Sequence, residues 1–470
     1  MKNHITSLLL LSTITLLSAC GISKDITTPK TDLPAAFRND AAGDTASAGN
    51  ISWKEFFTDP ALQSLIDSAI ERNYDMQLAA KNIEQSNLVM RQTKWGYAPN
   101  LSLQANASTN RPSDNSLNGL SLNQFLGTPH IEDYTAALNL SWEADIWGKV
   151  YNQKRSALAV YQQTREARKA LQTRLVAMIA QGYYNLLMLD AQLDVAEKNL
   201  QLNDSTLRII RLQYNAGQVT ALGVQQAEAQ RLTAAQLVPQ FRQEILVQEN
   251  ALSILAGQLP ARTNRTTSLN EVALSTNLSA GIPSDLLSRR PDVKSSELEL
   301  TVANAQTGIA KANLYPALVI TASGGVNAFK FSNWFSLPAS LFGTVAGGLV
   351  QPVLQQRKLQ TQYHLAQIER EKAVLRFRQT VLNAVGEVSD ALARMEQLNS
   401  RYTIAAERVH TLQSAISNAD LLFQNGMATY LEVITAQANL LQSELELSTV
   451  KRSQLSASVD LYRALGGGWK

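Results

Sequence analysis

Four histidines, one cysteine and a few glycine runs are the residues of this 470-residue chain whose types could support chemistry. His4, His130, His364 and His410 are scattered, and no pair of them falls at a metal-ligand spacing. Gly324 and Gly325, and Gly466 to Gly468, lack the strand–turn–helix context in which glycines cradle phosphates, so they read as parts of a strand and of the chain end. A nucleophile assembled from distant Ser, His and Asp would leave no local pattern, and inspection leaves that option open. The expectation is nevertheless a protein that is not an enzyme, with no catalytic residue, no metal and no cofactor. Arg290, Pro291 and Asp292 read as structural: Pro291 begins a helix, Asp292 lies at its positive end, and Arg290 pairs locally. Lys and Arg total 42 against 39 Asp and Glu, a net charge of +3 with no basic run, which argues against a nucleic-acid partner.

Cys20 has a different chemistry. It follows Lys2, an apolar stretch from about Ile5 to Leu17, and the small residues Ser18 and Ala19, the pattern of an export signal over residues 1–19. That stretch is shorter than the roughly 20 apolar residues needed to span a bilayer. The sequence LLSAC resembles a bacterial lipobox, in which cleavage exposes the cysteine and its thiol is acylated. As the single cysteine, Cys20 can form no internal disulfide, and a covalent lipid (diacylglycerol plus an N-acyl chain) would occupy its thiol. The alternative is a plain secretory signal with an incidental cysteine. Gly21 follows, and in the lipoprotein class the lack of Asp there accompanies the outer membrane.

The elements that would have to position any site are long. Residues 20–52 read as a linker with Pro29, Pro34 and the run AAGDTASAGN, and order is expected from Trp53, with Asp59 capping a helix that starts at Pro60. An internal repeat follows. Asn73, Tyr74 and Asp75 align with Arg290, Pro291 and Asp292; Pro99 with Pro316; Gly148 and Lys149 with Arg357 and Lys358. Tyr214, Gly217, Thr220, Leu222 and Val224 align with Phe423, Gly426, Thr429, Leu431 and Val433. This divides the chain into a first repeat at 53–256, a connector at 257–283 and a second repeat at 284–470, each reading helix, two strands, very long helix, helix. No proline occurs between Pro129 and Pro239 or after Pro352. Apolar or small residues recur at spacings of three and four from Leu171 through Leu186 and Leu200 to Tyr214, as in coiled coils. A helix from Gly148 to Tyr214 would be about 100 Å long, and helices over 60–95 and 221–256 about 54 Å each. Pro239 is expected to bend or break the latter.

Four alternating segments separate the helices: Leu101, Leu103, Ala105 and Ala107; Tyr134, Ala136, Leu138, Leu140 and Trp142; Leu318, Ile320 and Ala322; Val345, Gly347 and Leu349. About ten residues with one apolar face suit a transmembrane strand, although four strands of a soluble sheet would read alike. Lipid offers no hydrogen bonds, so membrane strands must close into a barrel, and four cannot. Two chains would pool eight strands and three would pool twelve; a duct wide enough for solutes favours three or more.

The stretch SRRPDVKSSELELTVANAQTGIAKANLYPALVITASGG from Ser288 to Gly325, the opening Trp53, Phe56, Phe57, Asp59 and Pro60, and the ending LYRALGGGWK resemble the TolC/OprM outer-membrane efflux proteins, in particular their NodT-like lipoprotein branch. The resemblance spans essentially the whole mature chain. It implies a mainly α fold with a membrane β-barrel: a homotrimer whose twelve pooled strands cross the outer-membrane lipid and whose long coiled-coil helices form a periplasmic α-barrel. It further implies a periplasmic adaptor, an inner-membrane RND-type transporter, and passage of small molecules such as drugs without chemical change.

Gly217 and Gly426 each follow a long helix and can adopt the left-handed conformation that ends it, so these turns are expected at the narrow periplasmic tip. In relatives, the inner helix after the second turn carries a leucine ring and, four residues on, an aspartate ring. Leu431 matches the leucine; Thr435 stands at the acidic position, Gln226 is its equivalent in the first repeat, and Glu432 is one residue from Leu431. The expectation is an apolar constriction at Leu431, closed by packing and dewetting rather than by charge. Two other functions fit the same sequence: the outer-membrane duct of a protein secretion system, and a non-channel coiled-coil lipoprotein scaffold.

Overall fold

A computed structural model describes residues 33–34, 36–38, 47–272 and 279–470; the expected signal segment, Cys20 and most of the expected linker lie outside the described residues. The helices are α1 (Trp53–Phe56), α2 (Pro60–Arg72), α3 (Tyr74–Gln92), α4 (Leu117–Leu126), α5 (Lys149–Asn215), α6 (Ala221–Leu255), α7 (Leu286–Arg289), α8 (Pro291–Ala312), α9 (Lys358–Gln424) and α10 (Tyr430–Ala464). The strands are β1 (Asn100–Asn110), β2 (Ile131–Ala144), β3 (Ala317–Ala328) and β4 (Leu341–Val350). The chain divides into two compact units, one holding the sheet over 85–161 and 298–375, the other holding 47–84, 162–297 and 376–470.

The repeat is visible in element lengths. Helices α5 and α9 have 67 residues each, and α6 and α10 have 35 each. At about 1.5 Å per residue these are about 100 Å and 52 Å long. Both long helices end in the same way. Gly217 (φ +74°) and Gly426 (φ +70°) are left-handed; the Gly217 and Gln218 amides donate to Tyr214 and Gln213 carbonyls, both at 2.9 Å, and those of Gly426 and Met427 donate to Phe423 and Leu422 at 3.1 and 2.8 Å. Paired bonds of this kind satisfy carbonyls that a helix end would leave bare.

Two helices depart from expectation. The single helix expected over 60–95 is split at Asn73, which turns out of helical geometry (ψ 131°). Its side chain caps the second piece, the Met76 amide donating to Oδ1 at 3.2 Å, and ties the break to the end of α6, Nδ2 donating to the Leu255 carbonyl at 3.0 Å. Short amide side chains compete with the helix ladder in this way. Conversely, α6 runs unbroken through Pro239. Proline removes one ladder hydrogen bond, but Val238, Phe241 and Ile245 on either side are buried in the core, and their burial holds the helix on course.

That core fills the second unit. Leu62, Ile66 and Ala69 of α2, at helical spacing, meet Leu175, Ile179, Tyr183 and Leu186 of α5 and Val459 and Tyr462 of α10. Asp59 caps α2 by accepting from the Ala61 amide at 2.8 Å while its other oxygen accepts from the Tyr183 hydroxyl at 2.9 Å. Arg265 pins the connector: it donates to Asp190 of α5 (Nε to Oδ2, 2.6 Å) and to the buried Glu249 of α6. Burial pushes the Asp190 carboxyl up, and the Arg265 charge only partly offsets this.

Candidate functional site

The sheet is antiparallel in the order β1-β2-β3-β4, so among the described residues β1 and β4 each present one edge without a strand partner. Its register gathers the apolar alternations onto one face. Leu101, Leu103, Ala105 and Ala107 lie opposite Leu140, Leu138, Ala136 and Tyr134. Leu140 and Trp142 lie opposite Ala322 and Ile320, and Leu318, Ile320 and Ala322 opposite Leu349, Gly347 and Val345. A one-residue slip in any pair would have broken this face. Leu103, Val345 and Leu349 are all more than two-thirds exposed.

The opposite face is polar. Ser323 donates to Asn139 at 2.7 Å, and Asn327 donates to Asp133 and Thr135 at 2.7 and 2.8 Å. No charged side chain occurs in β1, β3 or β4, nor in β2 between Tyr134 and Trp142. Aromatic rings mark both ends of this uncharged band. Tyr134 packs with Phe331 and Trp334 at one end, with centroids 5.5 and 5.6 Å away. At the other, Trp147 stacks on Tyr315 at 4.9 Å, and Trp142 Nε1 donates to the Tyr97 carbonyl at 2.9 Å. An apolar outer band, a polar inner face and two aromatic girdles are what a strand crossing lipid requires. No helix among the described residues is long and apolar enough to cross a membrane.

At the turns, Leu207, Ile210, Ala227, Phe423 and Val433 form a small separate core that joins the two hairpins. The Tyr430 ring lies against Gly223, where an added Cβ would meet it at 3.0 Å, and its hydroxyl donates to Gln226 Oε1 at 2.7 Å. Gln226 is thus tied to the other hairpin. Thr429 and Glu432 form a capping box on α10: the Glu432 carboxylate accepts from the Thr429 amide at 2.9 Å and from its hydroxyl, and the Leu431 amide donates to Thr429 Oγ1 at 3.3 Å. The Thr429 bonds hold the Glu432 carboxyl below the usual range. Leu431 is 53% exposed, and Thr435, Asn439 and Gln442 continue its exposed face at spacings of four, four and three. The exposed face therefore begins with a leucine and continues in neutral polar residues.

The sequence reading singled out Leu431, Thr435, Glu432, Gln226 and the two glycines, all of which lie at or near the two turns, but it offered neither Glu432 as a helix cap nor Tyr430 as a contact. The string Thr429-Tyr430-Leu431-Glu432 is itself a capping-box signature and could have assigned Glu432; nothing in the sequence announces that Tyr430 lies on Gly223. Thr429→Ala is expected to lower the stability of this tip by about 1 kcal/mol. Faster amide hydrogen exchange confined to the start of α10 would register it, and unchanged exchange there would contradict it.

Arg290 is 5% exposed and fully engaged. Its guanidinium grips Asp292 with two bonds (3.0 and 2.6 Å), and its Nη1 donates to Glu387 Oε2 at 3.0 Å and to the Ala464 carbonyl at 3.1 Å. This joins the start of α8 to α9 and to the end of α10. The motif is structural, as its composition implied. No group of His, Cys, Asp or Glu among the described residues could hold a metal ion.

The sequence matches the family model described as outer membrane efflux protein over residues 65–258 and 282–467. It is 30% identical over 471 residues to the toluene efflux pump outer membrane protein TtgC of Pseudomonas putida, spanning 97% of this chain and 94% of TtgC. It is 26% identical over 457 residues to the cation efflux system protein CusC of Escherichia coli, spanning 97% of each. The open-state crystal structure of the Neisseria gonorrhoeae MtrE outer membrane channel superposes with a TM-score of 0.85 at 25% identity, covering 96% of this chain and 99% of that one. With its lipid-suited sheet, its 67-residue helices and a family match over most of its length, the chain belongs to the outer membrane efflux protein family.

Proposed function

We propose that three copies of this chain form the outer-membrane exit duct of a tripartite efflux pump, carrying small molecules from a periplasmic adaptor and an inner-membrane RND-type transporter to the exterior. The observation that carries this reading is the four-stranded sheet with one continuous apolar face and two unpaired edges. Such edges cannot stand bare in lipid. Pairing β4 of each copy with β1 of the next closes twelve strands around a lumen wider than the side-chain-filled interior of an eight-stranded barrel. The polar sheet face then lines the pore, the helices continue it into the periplasm, and the turns at Gly217 and Gly426 form the tip that meets the adaptor.

Leu431 narrows that tip, with Glu432 withdrawn into its cap and the uncharged Thr435 one turn away. A lipid on Cys20 would hold each subunit to the inner leaflet of the outer membrane. TtgC is named for toluene and CusC for cations, although both resemble this chain to a similar degree. A shared exit leaves the choice of cargo to the transporter.

The test is single-channel conductance of the purified protein in a planar bilayer, with oligomeric mass measured in parallel. Trimers that give discrete, mostly closed openings are the expected result. A monomer silent at every voltage would overturn the duct and favour a scaffold.

A further inference from the structure

After β4 the chain turns through residues 351–357 into α9. Gln351 fixes the start of this turn by donating to the Leu314 carbonyl at 3.2 Å. Beyond Pro352, Val353 and Leu354 are 84% and 94% exposed, and no other large apolar side chain among the described residues is as bare as Leu354. The turn is completed by two consecutive non-glycine residues in the left-handed region, Gln356 (φ 53°) and Arg357 (φ 60°). A Cβ disfavours this conformation by crowding the following carbonyl oxygen. In the first repeat the position of Arg357 is held by Gly148, which adopts φ +69° freely. The chain thus holds a strained turn whose outcome is to present two apolar side chains to nothing within its own fold.

A matching surface precedes β1 in the same unit. The short 3-10 turn Thr93–Tyr97 leads into Asn100, and it leaves Trp95 76% and Tyr97 46% exposed. Within one sheet β1 and β4 are separated by three strand spacings, about 14 Å, so these two patches cannot meet inside a single chain. Across a seam in which β4 of one copy pairs antiparallel with β1 of the next, the end of β4 at Val350 and the start of β1 at Asn100 fall at the same end of the sheet. The segment leaving β4 then runs alongside the segment arriving at β1.

We propose that Val353 and Leu354 of each subunit seat on Trp95 and Tyr97 of its neighbour, an apolar knob that locks the barrel seam where the strands give way to the helices. This inference rests on the trimeric reading above. The seam has a free backbone edge on both sides, and its hydrogen bonds alone would tolerate slippage by two residues. A knob at a fixed distance beyond the last strand residue sets the register, and the same contact repeated around the ring makes the three subunits equivalent.

Oxidation of a Trp95→Cys/Leu354→Cys double variant, purified as trimers, is expected to give covalently linked dimers and trimers on a non-reducing gel, which neither single variant gives. A bond inside one chain is ruled out by spacing, because bridged cysteines need Cα atoms within about 7 Å. As a second readout, Leu354→Glu is expected to lower by several degrees the temperature at which detergent-resistant trimers dissociate. Leu117→Glu, at a position 84% exposed on α4 at the other end of the sheet, is expected to leave that temperature unchanged. Trimers of the correct mass that neither cross-link nor lose heat resistance would overturn the knob and assign the patch to lipid. A protein that is monomeric by mass throughout would overturn the trimer itself, and the knob with it.

Discussion

Arg290→Ala is expected to cost about 3 kcal/mol of folding stability, the low end of the 3–5 kcal/mol range for breaking a buried ion pair. The low end applies because the partners left behind are partly hydrated: Asp292 and Glu387 keep 42% and 38% side-chain exposure, whereas Arg290 keeps 7%. The loss also bares the Ala464 carbonyl, which now accepts from Arg290 at 3.1 Å where α10 ends. Arg290→Lys would keep the charge but not the two-pronged grip on Asp292, and should fall between the wild type and Arg290→Ala. The cluster is also acid-sensitive. Burial works against ionisation of Asp292, but the bonds from Arg290 prevail and hold its carboxyl below its ordinary value of 3.8. A carboxyl with a lowered folded-state pKa contributes stability that is present above its unfolded value and is lost as pH falls through the folded one. The wild type should therefore lose this contribution only below about pH 4, and Arg290→Ala should show a flatter acid limb. Chemical denaturation followed by far-UV circular dichroism at pH 7 and pH 3 would measure both effects. An unchanged midpoint at pH 7 would refute the structural role assigned to the motif.

The parts of this fold that were legible before the structure are those in which local sequence dictates geometry. The matched prolines and glycines of the two repeats gave the helix ends, because a left-handed residue after a helix is nearly a glycine monopoly, and Gly217 and Gly426 obey it. The strands were legible as period-two alternation, and the registers preserve that alternation across all four. What escaped was decided by contacts distant in sequence. Asn73 interrupts its helix partly because a carbonyl 182 residues away accepts its side-chain amide. Pro239 is carried within an intact helix by apolar neighbours buried against other elements. The Arg265 clamp draws on Asp190 and Glu249, 75 and 16 residues away, and no local pattern reports it. At the turns, Leu431 and Thr435 were singled out by the family resemblance, whereas Tyr430 lying over Gly223 depends on two hairpins meeting. Arg357 is the reverse case: it aligns with Gly148, and the chain adopts the same left-handed conformation there without the glycine.

Leu431→Ala is expected to raise the open probability of the channel by about 100-fold. In the proposed trimer, one substitution removes three isobutyl groups from the Leu431 ring at once. Burial of a leucine side chain is worth about 1.5–3 kcal/mol. Leu431 is half-exposed in a single chain, so about 1 kcal/mol per subunit is a reasonable share of the closed state's advantage. Three subunits then supply about 3 kcal/mol, and each 1.4 kcal/mol is a factor of ten in an equilibrium. The fold itself should be spared, because the core beneath the turn is built from Phe423, Val433 and their neighbours. Thr435→Asp separates the two kinds of gate. It would place three carboxylates one helical turn from the leucines and should make the channel cation-selective while leaving it mostly closed. Single-channel recording of the two variants beside the wild type reads both quantities, and entry of a large antibiotic into cells that carry Leu431→Ala gives the same answer in vivo. If Leu431→Ala opens no more often than the wild type while Thr435→Asp does, the barrier at the tip is electrostatic. The apolar ring would then have to be abandoned in favour of the charged groups on the helices beside the turns, Glu432 and the Arg211–Glu228 pair.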